Sequence, residues 1–521
     1  MIMDLYDVTD RLIASKIVLN MARIALILSP MKIWRWVKQR KEFVMRSASV
    51  ANGFKTRITI SQGVLIFLLT ITLFAAAAGN SLAASYYVAT NGSDSNNGSI
   101  GSPWRNPWVI ATKTFSAGDT IYIRAGTYTI TDQSWIRYNC PNIHVRQSGS
   151  VQNPVTIRNY PGETAILNGT ANSLGPVIGV CQDYPANNTV IDGLEITNGG
   201  LRVEAAQNVV IQNNIIHGIT APFCDNVGTI WVEWFTNATI RNNKLYDVNN
   251  SCGDANASAI IGYRSTNVTI ENNEIYNSRA GIHLKTGGNY NRNYTIRNNY
   301  MHDLAIYAIG ISFADNDDTN DIKVYNNIMA STGTGFKMDS GADSGVASDW
   351  QVYNNTIYGY IGNCLVGPAS AGSTNWKGYN NICSRTGSAS RDGIQNSALQ
   401  ISILDYNLYY KSTGLSFQLG GANYTTLANW RTATGKEANS LGGTTSGFDP
   451  LFVGPLTSAA GFKLSSGSPA LNAGRSDGTS GGSVVHIGAY RTGNECIGLE
   501  SHCSILSDTA PPYPPSGLRV Q

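Results

Sequence analysis

One short phrase, written again and again, governs what this chain can fold into. It reads NVVIQNNIIHGI from Asn208, NATIRNNKLYDV from Asn237, NVTIENNEIYNS from Asn267, NYTIRNNYMHDL from Asn293, DIKVYNNIMAST from Asp321 and DWQVYNNTIYGY from Asp349. The paired asparagines begin at 213, 242, 272, 298, 326, 354 and 380, in steps of 29, 30, 26, 28, 28 and 26 residues. A recurring step of this size marks a solenoid, in which each unit buries its apolar face only against its neighbours. Within a unit, β-branched and polar residues alternate, break at Asn-Asn and resume, with no helical period. Three short strands and three turns fit one unit, so successive units stack as coils of a single-stranded, right-handed parallel β-helix. Each coil advances the rod by ~4.8 Å, and about ten to twelve coils make a rod of roughly 50–60 Å. Stacked asparagines then form an amide ladder, each side chain donating and accepting along the stack. The sequons at Asn237 and Asn267 are by-products of that ladder, not glycan sites.

Composition agrees with an all-β rod. Only 14% of the 521 residues are charged, while 53 glycines and 26 tyrosines take the place of helix-forming residues, which excludes a helical bundle. Net charge is +3, yet 11 basic and 4 acidic residues fall in the first 57 positions, leaving 26 basic against 30 acidic in the rest. The folded part carries no basic footprint for nucleic acid.

Residues 64–79 form an uncharged apolar run that follows Lys55 and Arg57, and Ser81 and Ala83 suit cleavage before Ala84. The expectation is a secretory signal over 58–83, or an anchor if uncleaved, behind an N-terminal extension over 1–57 whose basic aromatic text suggests Met45 as the true start. The β-helix domain is expected over 84–494 and a Pro-rich tail over 495–521. All eight cysteines follow the signal, as an oxidising compartment allows. Cys224 and Cys252, 28 residues apart, are placed to rivet adjacent coils, and Cys496 with Cys503 to close a small loop. A monomer is expected, touching membrane only through an uncleaved N-terminal segment.

Chemistry is sought on the strand that ends each unit. Aligning Gly281-Ile-His-Leu-Lys285 with Gly335-Phe-Lys-Met-Asp339 puts Ile282, Leu284, Phe336 and Met338 inside. The outward pairs on five coils are then Trp231/Glu233, Gly262/Arg264, His283/Lys285, Gly310/Ser312 and Lys337/Asp339, with a dip at Gly262, Gly310 and Ser312. Trp231, Glu233, His283 and Asp339 become candidate substrate contacts. The following turn, FADNDDTND, offers Asp315, Asp317, Asp318 and Asp321 as hard oxygen ligands of the kind Ca²⁺ takes. A hydrolase would instead pair Asp339 with Asp315 or Asp318.

The opening YYVATNGSDSNNGSIGSPWRNPW (86–108) with GDTIYIRAGTY (118–128), and the ending FKLSSGSPALNAG (462–474) with VVHIGAY (484–490), resemble the two ends of secreted right-handed β-helix proteins, especially family 9 polysaccharide lyases of the pectate lyase kind. The resemblance spans about 84–494. It implies an acidic polysaccharide as partner, β-elimination as reaction and Ca²⁺ as cofactor. It also implies a lysine base in a Gly-Phe-Lys segment, which TGTGFKMDSG (332–341) resembles, so Lys337 is the expected base. The family's tight Asp-Asp-Gly-x-Asp cluster has only the looser Asp315–Asp321 text as counterpart here. Other lyases on this fold use a Lys and Arg pair, for which Lys285 and Arg264 are the candidates. The contrasting expectation is a non-catalytic, glycan-binding surface protein on the same fold.

Overall fold

The computed structural model describes residues 83–130, 140–170, 175–286, 291–312, 318–339, 346–367, 373–385, 401–476 and 485–500. The apolar run at 64–79 and Cys503 lie outside the described residues. Within them, no helix is long and apolar enough to cross a membrane.

The described chain is a parallel β-solenoid. Twelve strands follow one another along one sheet, from Ser85–Val88 to Ile401–Asp405, and every neighbouring pair in it is parallel. This is the first face. After the Asn-Asn corner each coil runs along a second face and bends onto a third; in the later coils both are covered by one long strand, as in Glu274–Lys285 and Ile328–Asp339. Inward residues stack in rows: Ile240, Ile270, Ile296, Val324 and Val352 on the first face, and Leu245, Ile275, Met301, Met329 and Ile357 on the second. All ten are fully buried.

The corner explains the asparagine pairs. The first of each pair holds a left-handed backbone, φ between 50° and 56° at Asn213, Asn242, Asn272, Asn298, Asn326, Asn354 and Asn380, which asparagine tolerates better than other side chains. The second turns inward and forms the ladder: Asn214, Asn243, Asn273, Asn299, Asn327, Asn355, Asn381 and Asn407 have no exposed surface. Each Nδ2 donates to the Oδ1 of the next at 2.9–3.1 Å, and each Oδ1 also accepts the backbone N–H of the preceding asparagine. A second, outer row links Asn188, Asn208, Asn237, Asn267 and Asn293 through side-chain bonds of 2.7–3.0 Å. The sequon asparagines 237 and 267 therefore spend their amides inside a row.

Both ends are closed. Trp104, Val109 and Ile110 cover the first coil, and Phe417, Leu427 and Trp430, the last two on a helix over Leu427–Thr434, cover the final one. From there the chain runs back along the second face. Gly488 and Gly498 donate to the carbonyls of Asn380 and Asn298, and Ala459, Phe462, Tyr490 and Ile497 pack on Tyr300 and Ile328. This return segment explains why outward second-face positions change from Lys244 and Glu274 to Tyr300, Ile328, Ile382 and Leu408. The packed chain reaches Ile497, which is fully buried.

Candidate functional site on the third face

Strand pairing fixes the outward rows of the third face. One runs Arg202, Trp231, Ile261, His283, Gly310, Lys337 and Val366; its companion runs Glu204, Glu233, Tyr263, Lys285, Ser312 and Asp339. Trp231, Glu233, His283, Lys285, Lys337 and Asp339 thus share one face. Ile282, Leu284, Phe336 and Met338 are buried behind it.

The pair Gly262/Arg264 is corrected. Gly262 faces the core, where an added Cβ would stand 3.0 Å from Leu284 and 3.1 Å from the Tyr294 hydroxyl. Tyr294 stacks in register with Val268 and Ile322, and the glycine makes room for its extra volume. The outward pair of that coil is Ile261/Tyr263, one residue earlier, and Arg264 sits in the following turn at φ 48°. The dip at Gly310 is also absent: the Tyr307 ring lies where its Cβ would be.

Arg264 is one end of a chain of charges. Arg202 donates to Glu204 and, at 3.4 Å, to Glu233, whose other oxygen lies 3.3 Å from Arg264. Arg202 covers the Trp231 ring at 4.6 Å, and Tyr263 stacks parallel to that ring at 5.7 Å. Burial pushes the Glu204 carboxyl up to about 7, against the pull of Arg202. Sequence reasoning misses Arg202 and Glu204 because LRVE, at 201–204, sits in a degenerate coil, and Tyr263 because its coil aligns one residue out of register.

Lys285 is an anchor. Its ammonium donates to the side-chain carbonyls of Asn226 and Asn256, and Asn226 donates in turn to the Tyr263 hydroxyl at 3.0 Å. His283 is only 3% exposed. Its Nδ1 donates to the Ala255 carbonyl at 3.0 Å and its Nε2 lies 2.8 Å from Ser312 Oγ. Asn226, Ala255 and Asn256 belong to two loops that reach across from the bend between the second and third faces. Their base is an extension of the second-face strands Ile215–Ala221 and Lys244–Asn250. Ile219, Ala221, Val227, Val248 and Ala257 give this lobe an apolar cluster of its own, and a Cys224–Cys252 disulfide crosses it. Two further disulfides join Cys140 to Cys181 and Cys364 to Cys383; Cys496 is also disulfide-bonded.

Lys337 stands outward and half-buried beyond the lobe, with Gly310 and Val366 as its row neighbours. Of the carboxylates read as a metal cluster, Asp315 and Asp317 lie outside the described residues, as does the Asp339 side chain. Asp318 is exposed and its Oδ1 accepts the Val346 N–H at 3.1 Å. Asp321 takes the place of an asparagine in the outer row, at φ 53°, with Lys323 3.6 Å away. Asp318 has the hard oxygen chemistry of a calcium ligand; Asp321 is already paired.

The rows, ladder and closed ends define a right-handed parallel β-helix. A description for the Pel9A-like right-handed β-helix region matches residues 86–258, and a general right-handed β-helix region matches 179–357. Pectate lyase PEL9 of Emericella nidulans is 37% identical over 100 residues, 19% of this chain and 22% of that protein. The uncharacterized protein YwoF of Bacillus subtilis is 30% identical over 148 residues, 26% of this chain and 28% of that one. The chain thus spans about a quarter of the length of these curated relatives. Among solved structures, pectate lyase Pel9A is 17% identical with a TM-score of 0.49, covering 80% of this chain and 98% of that one. A rhamnogalacturonan lyase is 16% identical with a TM-score of 0.46, covering 60% and 84%.

Proposed function

We propose that this protein acts on an acidic, uronate-containing polysaccharide outside the cell, cleaving it by β-elimination with Lys337 as the base. The observation that carries the reading is the placement of Gly335-Phe336-Lys337: Phe336 is locked in the core, which fixes the strand, and Lys337 is turned out onto the third face. Similarity to PEL9 and the Pel9A-like region support the substrate class.

In this reaction the Lys337 amine takes the proton from the ring carbon next to the uronate carboxylate. The C–H electron pair becomes a double bond to the neighbouring carbon, whose bond to the glycosidic oxygen breaks. The departing sugar then takes up a proton. Calcium held by Asp318, with Asp315 and Asp317 adjacent in sequence, would supply charge neutralisation for the substrate carboxylate. A positioned general base contributes about 10²–10⁴-fold, so Lys337→Ala is expected to lose at least that factor. The test is ultraviolet absorbance of unsaturated product from a panel of uronate polymers, with and without calcium. Polymer retention without product, unaltered by Lys337→Ala, would instead make this a glycan-binding β-helix.

A further inference from the structure

The lobe over the third face has no place in the reaction just described. It adds chain at this bend of the two coils that carry Asn213 and Asn242. The third-face strand begins 17 and 18 residues after the first asparagine of the pair in those coils (Asn213 to Ile230, Asn242 to Ile260). In the next four it begins after 10 or 11.

The extra chain covers the outward face. Ile261 points away from the core by its place in the row, yet it has no exposed surface, and its row neighbours Trp231 and His283 keep only 7% and 3%. The cover is fastened from the coil above as well as from within. Arg279 donates to the Gly253 carbonyl, His283 to Ala255 and Lys285 to Asn226 and Asn256. Asn256 donates to Cys224 O at 3.2 Å, tying one loop to the other beside their disulfide. Tyr307, edge-on to His283, continues the obstruction over Gly310. Lys337 is the next position in the row. One strand spacing, about 5 Å, separates it from the obstruction at Gly310, which leaves room for about one sugar residue along the rod axis.

We propose that the lobe is a wall that closes the N-terminal side of the third face, so that a polysaccharide engaged at Lys337 must end there. The protein then takes glycan chains by an end and releases short products, whereas a face without the wall admits the middle of a polymer. This deepens the reading above and rests on Lys337 marking the bound glycan.

The test is calorimetric titration of Lys337→Ala, which keeps the ligand intact, with size-fractionated oligogalacturonates of three lengths, alongside the product sizes made by the wild type. The expected result is one protein per chain at every length, and short products from the first minutes. A count of bound protein that rises with chain length, or early products of all sizes, overturns the wall while leaving the lyase reading in place. One protein per chain with no product upholds the wall and overturns the lyase. No binding at any length overturns both. In a second variant, Cys224→Ser/Cys252→Ser/Lys285→Met, faster amide exchange at 221–257 would verify that the lobe is loosened. Occupancy there should climb with length; if it stays at one per chain, the lobe is not what stops the polymer.

Discussion

The coils carrying Asn213 and Asn242 and those carrying Asn272 to Asn354 obey the same rules inside and opposite rules outside. Their inward rows and ladder asparagines are interchangeable in type and burial. At the bend between second and third faces, however, the early coils build a lobe with its own apolar cluster, while the later ones turn directly, as at Ser278 to Ala280. The contrast teaches that this fold tolerates insertion at one corner without disturbing its stack, because the register is held at the Asn-Asn corner opposite. Length can therefore vary where function is shaped, and stays fixed where stability is made.

The largest effect should come from breaking what the two regions share. Asn243→Ala in a lobed coil and Asn299→Ala in a lean one each remove an amide that accepts from two donors and donates onward. Leaving such groups unpaired costs roughly 3 kcal/mol or more, and denaturant unfolding should give similar losses for both. A much milder Asn243→Ala would mean the lobe, not the ladder, holds the early coils.

A somewhat smaller effect is expected from pH. Burial raises the Glu437 carboxyl from 4.5 to about 7 in the folded chain, despite its bonds to Ser440, Tyr409 and Asn407. The folded protein then binds more protons than the unfolded chain between these values, so stability falls as pH rises from 4.5 through 7 and levels off above. The drop is on the order of 3 kcal/mol. Glu437→Gln should make the pH profile of thermal unfolding shallower, leaving the part that Glu204 contributes over the same window.

Reduction of Cys224–Cys252 should sharpen the comparison further, costing about 1–3 kcal/mol. The loss should register as faster amide exchange in the lobe and not in coils 272–339. Smallest of all, Lys337→Ala should leave the melting temperature unchanged within about 0.5 kcal/mol of stability, since it removes only a half-buried outward side chain.

The stack was legible in the sequence because its grammar is periodic: one misplaced inward residue in a row of isoleucines is obvious. The third-face rows were legible only where coils are alike. Gly281-Ile-His-Leu-Lys285 and Gly335-Phe-Lys-Met-Asp339 align on sight, but Gly262 invited a match to Gly310 that the core forbids. Its glycine compensates for Tyr294, 32 residues downstream, and volume exchange between adjacent coils has no local signature in sequence. The lobe did leave a trace, the longer stretch between Asn-Asn and the third-face strand, together with a cysteine in each loop. What it covers depended on Lys285, which reads as a surface lysine until Asn226 and Asn256 are brought above it.

The ladder has a direction. Every amide gives a hydrogen forward, from Asn214 towards Asn407, while also donating to a backbone carbonyl of the preceding coil, so along the row of side chains each member gives forward and receives from behind. The last member must give to something that is not an asparagine, and Asn407 gives to Glu437, a fully enclosed carboxyl at 3.2 Å, while its backbone N–H goes to Ser440 Oγ at 2.8 Å. This terminus is a full stop. Copying a unit anywhere upstream would lengthen the rod and leave the sentence grammatical, but a unit added after Asn407 would strand its donors. Growth of such a protein by duplication is therefore confined to its interior, and its closing segment must be inherited whole.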